Sequence, residues 1–235
     1  MYYKMNSYAL CSNRISEDIK KALLSQGLTV VMIPDSPFLP SPVSSHADML
    51  CFNTKSGVLV MEKNTCNVLS IHIDGAKIIT DSFTQNGINE YPFDIRFNAA
   101  LFEDFLFCRE KYISPAIAEN VNAKIVDVKQ GYAGCSVCRV NSHSFITSDA
   151  SLKKAGDRCG LDVLLIRPGF IGIDTYNYGF IGGASGLFGK KLLFYGDITS
   201  HPDYCEIHDF LKKRDVEEIV LSNKPLFDYG GMVII

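Results

Sequence analysis

The sequence predicts an α/β fold of one domain spanning residues 1–235, a five-bladed α/β-propeller closed by pairing of its N- and C-terminal segments. Three observations predict it. A hairpin, a helix-sized stretch and a buried strand recur roughly every 40 to 48 residues, and five such units fill the chain. At 47% hydrophobic and 21% charged residues, the composition supplies ample material for one core. The last segment, PLFDYGGMVII, begins a strand that would leave an open edge unless it completed the first unit.

The first unit reads as the strand SYALCS over residues 7–12, a helix from Ile15 to Gln26 and the strand LTVVMIP. Ile15, Ile19, Ala22 and Leu23 give the helix one apolar face, Ser12 or Asn13 caps it and Gly27 ends it. The Pro- and Ser-rich stretch from Pro34 to Ser45 reads as a surface loop that leads to His46 and covers what His46 lines. The second unit is the hairpin ADMLCF, NTKSG, VLVMEK with Gly57 at its turn, then a helix-sized stretch from Thr65 to Asp74 and the strand AKIITDSF. In the third, two strands flank Leu101 to Asp104, Ser114-Pro115 opens a helix, and AKIVDVK follows as a strand.

The fourth unit is CSVCRV, the turn NSHS, SFITSD, a helix from Ala150 to Cys159 and DVLLIRPG. The fifth is GFIGGASG, the turn LFGK, KLLFYGD, a helix from His201 to Lys213 and VEEIVLS. Ser200 as N-cap, Pro202 in the first turn and Asp203 resemble a capping box using Asp. Inner strands are expected to start near Asp48, Phe97, Cys135 and Gly183, with Met232–Ile235 paired beside the first unit.

Lys and Arg total 23 against 26 Asp and Glu, for a formal net charge of −3, which argues against a nucleic-acid partner. No segment reads as a secretion signal or a membrane span, so the expected location is the cytoplasm, with no membrane partner. The eight cysteines are scattered through apolar runs and are expected to be reduced. Cys135-Ser-Val-Cys138 reads as part of a strand, where side chains three apart point to opposite faces, and no second pair completes a metal site. No metal or cofactor is expected. His72, His143 and His208 have no matched partners and read as surface or packing residues.

Three short motifs sit at the starts of units: His46-Ala-Asp48-Met-Leu-Cys-Phe52, Ile181-Gly-Gly-Ala-Ser-Gly186 followed by KKLLFYG, and Tyr229-Gly-Gly231. With five closed units, they resemble the pentein, or guanidino-group-modifying, superfamily, and within it an uncharacterised branch. That superfamily includes arginine and agmatine deiminases, amidinotransferases, dimethylarginine dimethylaminohydrolases and a ribosome anti-association factor that has the fold without the chemistry. The resemblance implies that His46 transfers protons to and from a leaving amine, that Asp48 holds a guanidinium, and that a thiolate attacks the guanidinium carbon. On a strand, His46 and Asp48 would share a face and line one mouth.

The chain departs from the family pattern in two places. Met232, Val233, Ile234 and Ile235 stand where the nucleophilic Cys follows the last Gly-rich segment, and Ile181 replaces the Glu of the Glu-Gly-Gly motif. The usual hydrolysis of arginine, agmatine and methylated arginines is therefore expected to be lost. Cys135, after the Gly-rich segment Gln130 to Gly134, could supply a relocated nucleophile with His46 or Arg139 as neighbour; otherwise it is a small core residue. Ser185 in GGASG is a weaker hydroxyl candidate. The expected pocket for a small cationic ligand draws on Asn98, Gln130, Asp149, Gly182, Gly183 and Ser185 beside His46 and Asp48. The rival reading is a non-catalytic module that binds a protein partner on its outer face.

Overall fold

A computed structural model describes residues 7–70 and 73–235; His72 and the N-terminal residues 1–6 lie outside them. Sheets of three strands repeat five times, each with an inner strand antiparallel to a middle strand and an outer strand parallel to it. In blade 1, β1 (Ser7–Ser12) leads through α1 (Glu17–Ser25) to β2 (Leu28–Ile33). Blade 2 follows the helical turn α2 (Ala47–Leu50) with β3 (Cys51–Asn53), β4 (Val58–Glu62), α3 (Lys63–Leu69) and β5 (Lys77–Asp81). Blade 3 contains β6 (Ala100–Leu101), β7 (Phe105–Cys108), α4 (Pro115–Ala118) and β8 (Lys124–Asp127).

Blade 4 opens on the helical turn α5 (Ala133–Ser136) and continues through β9 (Cys138–Arg139), β10 (Ser144–Thr147), α6 (Ala150–Arg158) and β11 (Asp162–Leu165). Blade 5 has β12 (Ser185–Phe188), β13 (Lys191–Phe194), α7 (Tyr204–Lys212) and β14 (Glu217–Val220). The final strand, β15 (Val233–Ile234), pairs antiparallel with β1 through Ala9↔Ile234 and Leu10↔Val233 and becomes the inner strand of blade 1. In each blade a helix bridges the middle and outer strands, as a parallel pair requires a crossover.

Apolar wedges between successive blades hold the ring together. Leu10 and Ile33 of blade 1 pack with Leu59 and Met61 of blade 2, while Ala9 and Cys11, on the opposite face of β1, pack with Leu193 and Tyr195 of blade 5. Phe107 meets Phe145 between blades 3 and 4, and Ile146 meets Leu192 and Phe194 between blades 4 and 5. Both faces of the middle strands are thus buried. This is why VLVME, FLFC and KLLF read as continuous apolar runs rather than alternating ones. Among the described residues, no helix is long and apolar enough to cross a membrane.

The structure corrects several local expectations. Residues 47–50 and 133–136 are helical turns, not strand, so the inner strands begin two or three residues after Asp48, Phe97, Cys135 and Gly183. Each chain segment must swing from the outside of the ring to its axis before a strand can pair, and a single helical turn makes that bend. Ser16, not Ser12 or Asn13, caps α1, because the Ser12 hydroxyl is shared with Ser45 and with the Arg14 amide. The second-unit helix stops at Leu69, where Ser70 adopts a left-handed conformation. Asp203 reaches out of its expected capping box to Arg167, accepting from that residue's amide and its Nε. The 34–45 segment is not wholly superficial: Ser36, Leu39, Ser44 and Ser45 are buried, and Arg14 ties it down through Pro42, Ser44 and Asp35. His143 and His208 are exposed and each faces a carboxylate, Glu103 and Glu218.

Candidate functional site

The segments that precede the inner strands converge on the propeller axis and bring His46, Asp48, Asn98, Cys135 and Asp228 together. Asp48 rides on α2, which is anchored to the last blade segment by its amide donating to the Gly230 carbonyl at 3.0 Å. Both Asp48 carboxylate oxygens are buried without a hydrogen-bond partner of ordinary geometry. The Cys135 thiol lies beside this carboxyl group and donates toward it. Burial first, and the neighbouring Asp228 second, raise the Asp48 pKa to about 7.

Asp228 is the residue that sequence reading missed. It is 1% exposed and accepts from the amides of Phe180 and Gly230, both at 2.9 Å. Burial raises its pKa to about 6. A signal was present: an acid shortly before Gly-Gly is the pattern that Ile181 fails to supply, and Asp228-Tyr-Gly-Gly231 carries it with one intervening residue. The His46 ring lies with Nδ1 3.9 Å from Asp228 Oδ1, beyond a hydrogen bond. Burial, with the Arg14 cation second, lowers the His46 pKa to about 3, so the imidazole is neutral.

His46 and Asp48 do not share a strand face. His46 precedes α2 in extended conformation and packs against Gly230, where any Cβ would overlap it, whereas Asp48 faces Cys135 and an axial funnel. Asp228 lies near both: its carboxyl group raises the Asp48 pKa and stands 3.9 Å from the His46 ring. Asn98 is a clamp across three blades. Its Nδ2 donates to the Asp48 carbonyl at 3.1 Å and toward Cys135 Sγ at 3.0 Å, while its Oδ1 accepts from the Gly134 amide at 2.7 Å. The thiol is pushed well up by burial and by Asp48 and Asp228, with Asn98 alone pulling it down.

The remaining expected residues divide. Gly182 and Gly183 lie at the axis, where side chains would strike the α5 backbone and Asp228 respectively. Ser185 starts β12 in the funnel wall, and its hydroxyl donates to the Ile181 carbonyl at 2.8 Å. Gln130 and Asp149 do not join the central group: Gln130 Nε2 donates to Asp149 Oδ2 at 3.0 Å, and Asp149 Oδ1 caps α6 through the Ser151 and Leu152 amides. The cap claims the carboxylate before any ligand can. Arg139 donates to the Leu101 carbonyl in the funnel rather than to Cys135. Cys135 and Cys138 belong to different apolar wedges, one on a helical turn and one on a strand. Over Cys135, the stacked rings of Tyr132 and Phe180 form an aromatic cover, with Tyr132 donating to Asp94 at 2.7 Å and its ring tilted against Tyr91.

Opposed titrations give a pH test. Native Asp48 keeps its proton to about pH 7, while the unfolded chain loses it near 3.8, so its contribution to stability falls as pH rises through that window. Asp228 acts in the same sense, and His46, lowered to about 3 from 6.5, acts in the opposite one. Comparing Asp48→Asn with the parent protein cancels most of the other two contributions. Its melting temperature should gain on the parent as pH is raised from about 4 to about 8. A constant difference across that range would show that Asp48 is not perturbed.

Apart from the Cys135 thiol, no donor from another residue reaches the Asp48 carboxyl group among the described residues. A planar cation with paired N–H groups would satisfy both oxygens at once and, by its charge, draw the proton off the adjacent thiol.

Comparison with known proteins agrees with the architecture. The chain is similar to the dimethylarginine dimethylaminohydrolase of Pseudomonas aeruginosa, solved as a mutant complexed with citrulline, with 9% identity, a TM-score of 0.56 and coverage of 94% of this chain and 93% of that one. A second dimethylarginine dimethylaminohydrolase structure, an adduct with S-methyl-L-thiocitrulline, matches at 10% identity and a TM-score of 0.53, covering 93% and 92% of the two chains. No curated protein sequence matches the chain significantly. Five three-stranded blades and these structural neighbours establish the pentein propeller fold, and the match over residues 10–233 places the chain in the family of unknown function DUF6873.

Proposed function

We propose that the axial site binds a small guanidinium or amidinium group on Asp48 and that Cys135 is the nucleophile toward its central carbon. One observation carries this reading: a buried carboxylate with both oxygens unpartnered stands directly beside a thiol. Leaving such a group unsatisfied costs free energy that a bidentate cationic donor recovers. In this reading Cys135, two blades on from the His46 and Asp48 segment, supplies the thiol, since residues 232–235 contain none.

In the proposed reaction the cation docks on Asp48 and the Cys135 thiol passes its proton to the Asp228 carboxylate. The thiolate forms a C–S bond, and the C–N bond to the leaving amine breaks as Asp228 gives that proton to the amine. Water then cleaves the C–S bond and restores the thiol. Similarity to enzymes named for dimethylarginine supports the substrate class, not the individual substrate.

The test is calorimetric titration of the protein at about pH 8 with guanidinium, agmatine and methylated arginines. Asp48→Asn should weaken the binding that is seen by roughly 1 to 3 kcal/mol, the scale of a lost charge-assisted bond. Unchanged binding in the variant would overturn the reading. Absence of binding throughout would favour the interaction module, to which the exposed Tyr91, Phe93, Phe170, Tyr176 and Tyr178 lend a surface.

A further inference from the structure

The axial funnel, of about 160 Å³, runs past the inner strands of all five blades. Asp48 stands before β3 at one end of it, and Lys55 stands beyond β3 at the other, with Arg139 on β9 between. These two cations differ from the five arginines that are held in ion pairs. Arg14, Arg96, Arg109, Arg167 and Arg214 each face an aspartate. Arg139 and Lys55 instead both donate to one acceptor, the Leu101 carbonyl, at 3.3 and 3.4 Å. Among the described residues neither has a carboxylate within ion-pair distance.

Arg139 is strongly desolvated, enough to lower its pKa to about 10, so it remains charged at neutral pH. A desolvated cation sharing a single carbonyl is poorly compensated, and most of its planar fork of donors is left for something else. The funnel holds the volume of about five waters, or of one small oxyanion with its remaining hydration.

We propose that this funnel is a second binding site, which takes one small oxyanion, a carboxylate or inorganic phosphate, between Arg139 and Lys55. The site opens at the opposite end of the axis from the aromatic cover and stands independently of any chemistry at Cys135. It is also coupled to Asp48. An anion near Arg139 and a cation on Asp48 lie in one narrow channel, so each strengthens the binding of the other, and the coupling is reciprocal.

The experiment is titration of the full chain with inorganic phosphate and, separately, with acetate, at ionic strength held constant with sodium chloride. Saturable one-to-one binding of either supports the site, and which of the two binds identifies the oxyanion. Arg139→Gln should weaken it by about tenfold or more, the scale of one charge-assisted hydrogen bond. Lys55→Gln, at an exposed turn residue, should weaken it by about threefold and decides the matter if the Arg139 variant does not fold. Asp48→Asn should retain phosphate binding, or tighten it, while losing guanidinium, so the two sites fail separately. Dissociation constants weaker than about 10 mM for both anions, or binding unaffected by both Arg139→Gln and Lys55→Gln, would overturn the proposal.

Discussion

Cys135→Ser should abolish covalent labelling at position 135 by 2-chloroacetamidine, while Cys138→Ala leaves that labelling intact. The amidinium of this probe can sit on Asp48 as a guanidinium would, placing its chloromethyl carbon beside the Cys135 sulfur. A C–S bond then forms as the C–Cl bond breaks and chloride departs. Cys135 is an unpromising thiol on its own, because burial and two carboxyl groups hold its proton. A docked cation reverses that field, since one positive charge offsets Asp48 and stabilises the thiolate in a site from which water is excluded.

The neutral analogue 2-chloroacetamide lacks the charge and should label Cys135 about a hundredfold more slowly, corresponding to roughly 3 kcal/mol of docking. Exposed Cys205 will react with both reagents and serves as the internal control. Peptide mass spectrometry reads each thiol separately. Equal rates at Cys135 with the two reagents, or no labelling there while Cys205 reacts, would show that Asp48 does not recruit a cation to this thiol. Asp48→Asn should erase the discrimination without removing the thiol.

Gly182→Ala should be among the most damaging single-methyl changes in the chain. A Cβ at this position would lie 2.6 Å from the carbonyl oxygens of Gly134, Cys135 and Val137. All three belong to backbone at the start of blade 4, so no flexible side chain can yield, and the α5 turn must move. Overpacking of this kind, against fixed backbone, should cost about 3 kcal/mol or more. For a domain of this size that is a fall in melting temperature of about 10 °C.

Gly160→Ala is the appropriate comparison. Gly160 has φ +73 but nothing within 4 Å of a Cβ, so only the left-handed backbone resists substitution, at about 1 kcal/mol. Because α5 carries Cys135, Gly182→Ala should also lower amidinium labelling in whatever fraction remains folded. Equal effects of the two substitutions on stability would mean that the axis is not packed as the structure shows.

The local code of the blades was legible without coordinates. Apolar runs such as VLVME and KLLF, punctuated by Gly57 and Gly189 at hairpins and followed by helix-length segments, repeat because each blade must bury the same two faces against its neighbours. The need to cover the edge of β1 likewise pointed to the terminal run, and Val233–Ile234 fills it. His46 and Asp48 could be singled out through the resemblance of His46-Ala-Asp48 to the His-x-Asp segment of the superfamily, not through local pattern.

What the sequence determined by itself was therefore periodic, and what it left open was set by distance in space. A helical turn of four residues leaves no periodic trace, so residues 47–50 and 133–136 read as strand. Asp149 looked as available as Asp48, yet Asp149 is claimed locally by the first turn of α6, whereas the surroundings of Asp48, Cys135 and Asp228, come from distant stretches of the chain that no local pattern reveals. Asp228 enters the site only because the chain closes on itself and returns the last segment to blades 1 and 2. That Cys135 stands beside a carboxylate rests on how five segments meet on one axis, and only the closed ring brings them there.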